Sequence, residues 1–147
     1  MSLKDQIQTD LKNSMRAADK ARVRVLRMIT AAIKQREVDE RIELDDNQTL
    51  AVLEKMLKQR KDAAKQYQAA ERIDLAEVEQ AEISVIADFM PEALSEAEVA
   101  ELIKDAIAET GAQSIKDMGK VMGVIKPQVQ GRADMGTVSS KVRELLT

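Results

Sequence analysis

The 147-residue chain carries a net charge of −3, with 44% hydrophobic and 33% charged residues, a balance that marks a globular protein rather than a disordered one. It has no Cys and no His, which excludes disulfides, thiolate nucleophiles, Cys- or His-based zinc sites and His-dependent triads. One Tyr, one Phe, no Trp, five Gly and two Pro leave a chain dominated by strong helix formers, so long helices with short connections are expected.

The length suits one domain or two small ones. No apolar run follows the charges of Met1 to Gln6, and no stretch approaches the ~20 apolar residues of a membrane span. A cytoplasmic location with no membrane association is therefore expected.

Leu3, Ile7, Leu11 and Met15 recur every fourth residue and predict a first amphipathic helix. Ala17-Ala18-Asp19 interrupts it, and Asp19 is placed to cap a second helix running through Val23, Leu26, Ile29 and Ile33 to about Val38. The short gap predicts an antiparallel hairpin. After the polar stretch Glu40 to Asn47, Asp45 or Asp46 can cap a third helix. Its apolar face is Leu50, Leu53 and Met56 or Leu57, beside the basic run Lys55, Lys58, Arg60, Lys61 and Lys65. Asp74-Leu75-Ala76-Glu77 has capping-box spacing, and Leu75, Val78, Ile83, Ile86 and Met90 form the face of a fourth helix that Pro91 stops.

Pro91 to Leu94 is the expected boundary between an N-terminal helical domain, residues 1–91 with about four helices, and a three-helix domain, residues 95–147. Ser95-Glu96-Ala97-Glu98 is a capping box, and Gly111 is a natural left-handed terminator for the helix it opens. Ser114 to Asp117 starts the next helix, which Pro127 either ends or kinks. The last runs from about Asp134 through Val138, Val142, Leu145 and Leu146. No period-two alternation indicates a sheet. The fold class is all-α.

Charge is unevenly distributed. Residues 1–36 hold nine basic and three acidic side chains, residues 71–109 two basic and twelve acidic, and residues 110–147 six basic and three acidic. Basic ends around an acidic middle can steer a polyanion, or can simply be solvated helix faces.

No catalytic constellation assembles from this sequence. Asp45-Asp46-Asn47 lacks the length and central Gly of a calcium loop and reads as a helix cap. Gly131 to Thr137 has two glycines five apart, but no Lys follows Gly136 and no strand precedes Gly131. It is not a phosphate loop, and it reads as a turn with Asp134 capping the last helix. Carboxylates two apart, as in Glu77/Glu79 and Glu96/Glu98, do not face each other on a helix. No metal ligands, no catalytic residues and no cofactor are expected. Gly119 and Gly123 each weaken a helix by roughly 1 kcal/mol relative to Ala. Close packing of another helix is the expected compensation, and a backbone face offered to a partner is the other. Lys116, Lys120, Lys126, Arg132, Lys141 and Arg143 lie near these glycines, where backbone can approach phosphate. With so few aromatics, any RNA contact would be with backbone and shape, and would be salt-dependent.

Asp117-Met118-Gly119-Lys120-Val121-Met122-Gly123, then Pro127, Gly131-Arg132-Ala133-Asp134 and the closing Val138–Leu146 helix together form a pattern that resembles the GatB/YqeY family. That family joins the C-terminal tail of the GatB polypeptide of aspartyl/glutamyl-tRNA amidotransferase to stand-alone YqeY-like proteins. Leu26-Arg27-Met28-Ile29, Lys58 to Asp62, Arg72 to Glu77 and Phe89-Met90-Pro91 are similar to the stand-alone form, so the resemblance spans nearly the whole chain. Many relatives place Gly where Glu71 and Met135 stand. The resemblance implies a helical N-terminal domain, a three-helix tail and an association with tRNA. The family label, carbon–nitrogen ligase with glutamine as amido-N-donor, implies a catalytic cradle for which this chain is too short. The expected role is a tRNA-binding or translation-associated accessory protein, with another translation-related protein as a further partner. The alternative is a helical protein–protein interaction module that binds no RNA.

Overall fold

A computed structural model describes residues 1–147 as helices α1 (Leu3–Arg16), α2 (Lys20–Glu40), α3 (Asp46–Ala69), α4 (Ile73–Ala87), α5 (Glu96–Thr110), α6 (Met118–Val129) and α7 (Met135–Leu146). A short 3-10 turn, Ile115–Asp117, leads into α6. The chain divides into two compact units, Met1–Met90 and Pro91–Thr147.

Most helix starts follow from local side-chain chemistry. Ser2 and Asp5 exchange hydrogen bonds across the first turn of α1, as do Asp45 and Gln48 at α3 and Ser95 and Glu98 at α5. Asp45 rather than Asp46 caps α3, and the Asp46 carboxylate instead accepts the Leu3 N–H at 2.9 Å, tying α1 to α3. Asp19 and Asp134 cap α2 and α7. The start of α4 differs from expectation. Arg72 is its cap residue and makes no side-chain capping bond, so Asp74 sits inside the first turn. The short reversal from α3 brings the chain into helical conformation before Asp74 is reached. Asp74 there complements the positive end of the helix and pairs with Arg72 at 3.3 Å.

The ends of α1, α2, α3 and α5 share one device. Ala18, Arg41, Glu71 and Gly111 all adopt left-handed φ values, +57°, +56°, +58° and +68°. Each is followed by an N–H that closes back on the helix: Asp19 to the Ser14 carbonyl, Ile42 to Glu37, Arg72 to Tyr67 and Ala112 to Ile107. Only the fourth is a glycine. A side chain in this region costs roughly 1–2 kcal/mol, partly offset by the freedom glycine loses on folding. Glu71→Gly is therefore expected to stabilise the protein by about 0.5–1 kcal/mol in urea unfolding. A loss of stability would show that the Glu71 side chain has a compensating role.

In the N-terminal unit α1 packs on α2, α3 on α4, and α2 also touches α3 and α4. The core is built from Ile7, Leu26, Ile29, Leu53 and Ile86, all fully buried, with Leu3, Val25, Ile33, Leu44, Val52 and Met56 around them. Several predicted faces are rotated. Met15 is exposed, and Ser14 is buried, donating to Asp10. Asp10 also takes two hydrogen bonds from the Arg22 guanidinium, which hold its carboxyl below the usual carboxylate range. On α4, Val78 is exposed and Glu82 is buried, its carboxylate 3.1 Å from Arg60 and 3.8 Å from Arg24. The reason is that α4 answers to arginines on two neighbouring helices as well as to its own apolar pattern.

In the C-terminal unit α5, α6 and α7 pack against one another. Each supplies three buried residues on one stripe: Val99, Ile103 and Ala106; Val121, Ile125 and Val129; Val138, Val142 and Leu146. Leu145 lies at the edge of its stripe and is partly exposed. Pro127 does not end α6, which continues to Val129. No helix of the protein is long and apolar enough to cross a membrane.

Candidate nucleic-acid interface

The apolar stripe of α6 fixes what the rest of that helix presents. With 100° per residue, Val121, Ile125 and Val129 define one side, and Gly119, Gly123 and Pro127 fall on the other, with Lys120 and Lys126 on its two flanks. All five are exposed, as is Lys116 in the preceding turn. A Cβ built on Gly119 or Gly123 would meet nothing within 4 Å. The expected close helix packing at these glycines is therefore corrected: α5 and α7 lie against the opposite stripe, and no element of the chain compensates the glycines.

This open face is unusual in two further respects. Lys116, Lys120 and Lys126 enter no salt bridge, although Lys120 lies near the Asp117 carboxylate. Pro127 has no N–H, so the Gly123 carbonyl loses its helical donor on the same exposed face. Sequence reasoning placed the lysines near the glycines and read Pro127 only as a helix breaker, without putting it on the face of the glycines. The signal was present: 119, 123 and 127 are spaced by four. Asp117 anchors the front of the face. Its carboxylate accepts the N–H groups of Gln113 and Ser114, which, with Lys120 nearby, keep its pKa below the usual carboxylate range.

The other basic residues are arranged differently. The Arg132 guanidinium donates to the Glu92 carbonyl at 3.1 Å and its own carbonyl accepts the Leu94 N–H at 2.8 Å, so Arg132 ties the segment before α5 to the turn before α7. Gly131, at φ +75°, makes that turn possible. Lys141 and Arg143 are two apart on α7 and so lie on opposite flanks of its buried stripe, and Lys141 pairs with Glu144 at 3.8 Å. Gly136 is not in the turn but in the first turn of α7. A Cβ there would come within 3.3 Å of the Asp134 carboxylate that caps the helix through Thr137. Lys120 and Lys126 thus flank Gly119 and Gly123 on α6, with Lys116 exposed in the turn before it, and Arg132, Gly131, Asp134 and Gly136 belong to the architecture. No group of three or more acidic side chains is placed to hold a metal ion.

Because nothing crowds them, Gly119→Ala and Gly123→Ala are each expected to stabilise the protein, by roughly 0.5–1 kcal/mol, the helix-propensity difference. Thermal unfolding of the double variant checks this, and a lowered midpoint would mean the space is not free.

The model of the family described as Yqey-like protein matches residues 4–146, and so covers both units. The chain belongs to the YqeY-like family. Among its relatives is a Pyrenophora tritici-repentis protein named altered inheritance of mitochondria protein 41, mitochondrial. It is 31% identical over 143 residues, which is 95% of this chain and 78% of the relative. An uncharacterized Schizosaccharomyces pombe protein is 34% identical over 86 residues, 58% of this chain and 70% of its own. A Clavispora lusitaniae protein with the same mitochondrial name as the first is 34% identical over 89 residues, and the matched region is 60% of this chain and 52% of that relative. Two of these names carry a location for the relatives, and none carries a ligand.

Proposed function

We propose that this YqeY-like protein is an RNA-binding accessory module of translation that takes the tRNA backbone against the open face of α6. One observation carries the reading: two exposed helical glycines with no neighbour, bordered by three exposed lysines that enter no salt bridge. Each glycine weakens the helix, and a partner that needs the backbone close gives a reason to keep it. Three exposed ammonium groups beside a bare backbone suit phosphate oxygens. The only aromatics are Tyr67 and Phe89, both in the N-terminal unit, so base stacking has no platform here and recognition rests on backbone and shape. The carbon–nitrogen ligase label of the wider family describes, in our reading, a complex and not an activity of this chain. Its place is wherever tRNA is charged: the cytoplasm by our reading, the mitochondrion for relatives so named.

Titration of fluorescently labelled tRNA at 50 and 200 mM salt tests the proposal. With three phosphate contacts the affinity falls roughly 40-fold between the two. Absent binding, or binding indifferent to salt, would sink it. The G119A/G123A variant should bind more weakly although its fold is more stable.

A second reading has its own observation. Glu98, Glu101, Asp105 and Glu109 form an exposed acidic ridge on α5, spaced three, four and four. Such a ridge repels RNA and suits a basic protein, including a translation-related one. A single protein captured from lysate with equal yield before and after nuclease treatment would favour this reading over the first.

A further inference from the structure

In the N-terminal unit, two neighbouring helices carry opposite charge. From Lys20 to Arg36, α2 has six basic residues and no acidic one. From Ile73 to Asp88, α4 and the residue after it have five acidic residues and no basic one. Part of this charge is used within the unit, where Arg22 meets Asp88 at 2.9 Å and Arg24 meets Glu82 at 3.8 Å. Lys20 and Arg27 on α2 and Glu77 on α4 are exposed and enter no salt bridge.

Both helices also expose apolar surface that the core does not take up. A groove of about 670 Å³ runs along α2, lined by Met15, Val23 and Met28 together with Lys20, Arg24 and Arg27, and by no acidic residue. On α4, Ile73 and Val78 are 54% and 44% exposed and bracket Glu77. A basic apolar groove and an acidic apolar helix face thus stand side by side on one unit. A patch whose two halves are complementary pairs with itself about a two-fold axis.

We infer that the groove on α2 is filled by the outer face of α4 from a second copy of this chain, and that two-fold symmetry repeats the contact. Ile73 and Val78 of each copy then enter the groove of the other, and Glu77 meets the Lys20–Arg27 side. An acidic helix of some other protein would fit the groove equally in charge, but it would leave Ile73 and Val78 uncovered. The interface is small and partly charged, so a reversible dimer with a Kd on the order of 10 μM is expected.

Sedimentation of the full chain from about 1 to 500 μM, a range that brackets such a Kd, tests this. The wild type should associate reversibly, and less in 0.5 M salt, roughly where exposed charges are screened. Arg27→Glu and Glu77→Arg should each weaken the dimer by at least about tenfold, and the two together should return it to within about threefold of wild type. Neither side chain belongs to the core, and far-UV circular dichroism establishes that each variant is folded. A wild type that stays monomeric throughout would overturn the inference. So would a dimer insensitive to both reversals, and single variants that weaken it without mutual rescue would remove α4 as the occupant.

Discussion

Replacing Lys116, Lys120 and Lys126 together with glutamate is expected to weaken tRNA binding by at least about 100-fold near 0.1 M salt, turning three phosphate attractions into three repulsions. The slope of log affinity against log salt should fall by about three, because three counterions are no longer released. Stability should move by no more than about 0.5 kcal/mol, since all three are exposed and none makes a salt bridge. The comparison that gives this result meaning is the K141E/R143E pair. These residues lie on opposite flanks of α7, so at most one can join a surface centred on α6, and the loss should be smaller. Equal losses from the two variants would show that binding follows net charge alone, and the α6 face would then have no special standing.

The largest expected effect on stability comes from a residue far from that face in the chain. Glu82 is buried between Arg60 at 3.1 Å and Arg24 at 3.8 Å. Arg60 is nearly as buried, and it also donates to the Met56 carbonyl. Arg60→Ala leaves a carboxylate inside the N-terminal unit with only the longer contact to Arg24, whose side chain is 63% exposed. A loss of about 3 kcal/mol is expected, the usual cost of stranding one member of a buried pair. Replacing both partners, as in R60M/E82L, should cost no more than about 1 kcal/mol, because apolar side chains of similar size remove the buried charge altogether. Urea unfolding followed by circular dichroism measures both. If Arg60→Ala costs as little as the double variant, Arg24 or water is compensating the Glu82 carboxylate and the pair is not the organising contact.

Much of the helical outline was legible because its signals act within four residues. The Ser95–Glu98 and Asp45 caps, the Asp134 cap and the left-handed Gly111 each depend on side chains and backbone groups that are neighbours in the chain. On α7 the spacing of Val138, Val142 and Leu146 likewise marked the buried stripe. Ala18, Arg41 and Glu71 terminate helices with the same left-handed geometry as Gly111, yet nothing in an Ala, Arg or Glu announces it. There the short connection between packed helices forces the conformation. The replacement of Gly by Glu71 relative to the family was visible, and its meaning emerged only with φ.

What this sequence determined by itself was the helix content, the caps of α2, α3, α5 and α7, and the division into an acidic middle and basic ends. Tertiary structure decided which faces are covered. It rotated α4 so that Glu82 goes in and Val78 out, because arginines on α2 and α3 are within reach of that carboxylate. It assigned Arg132 to holding two loops together. It also left Gly119 and Gly123 bare, because one buried stripe of α6 already meets both neighbouring helices. Spacing along a helix specifies which residues share a face. Whether that face is buried depends on partners that are distant in the chain.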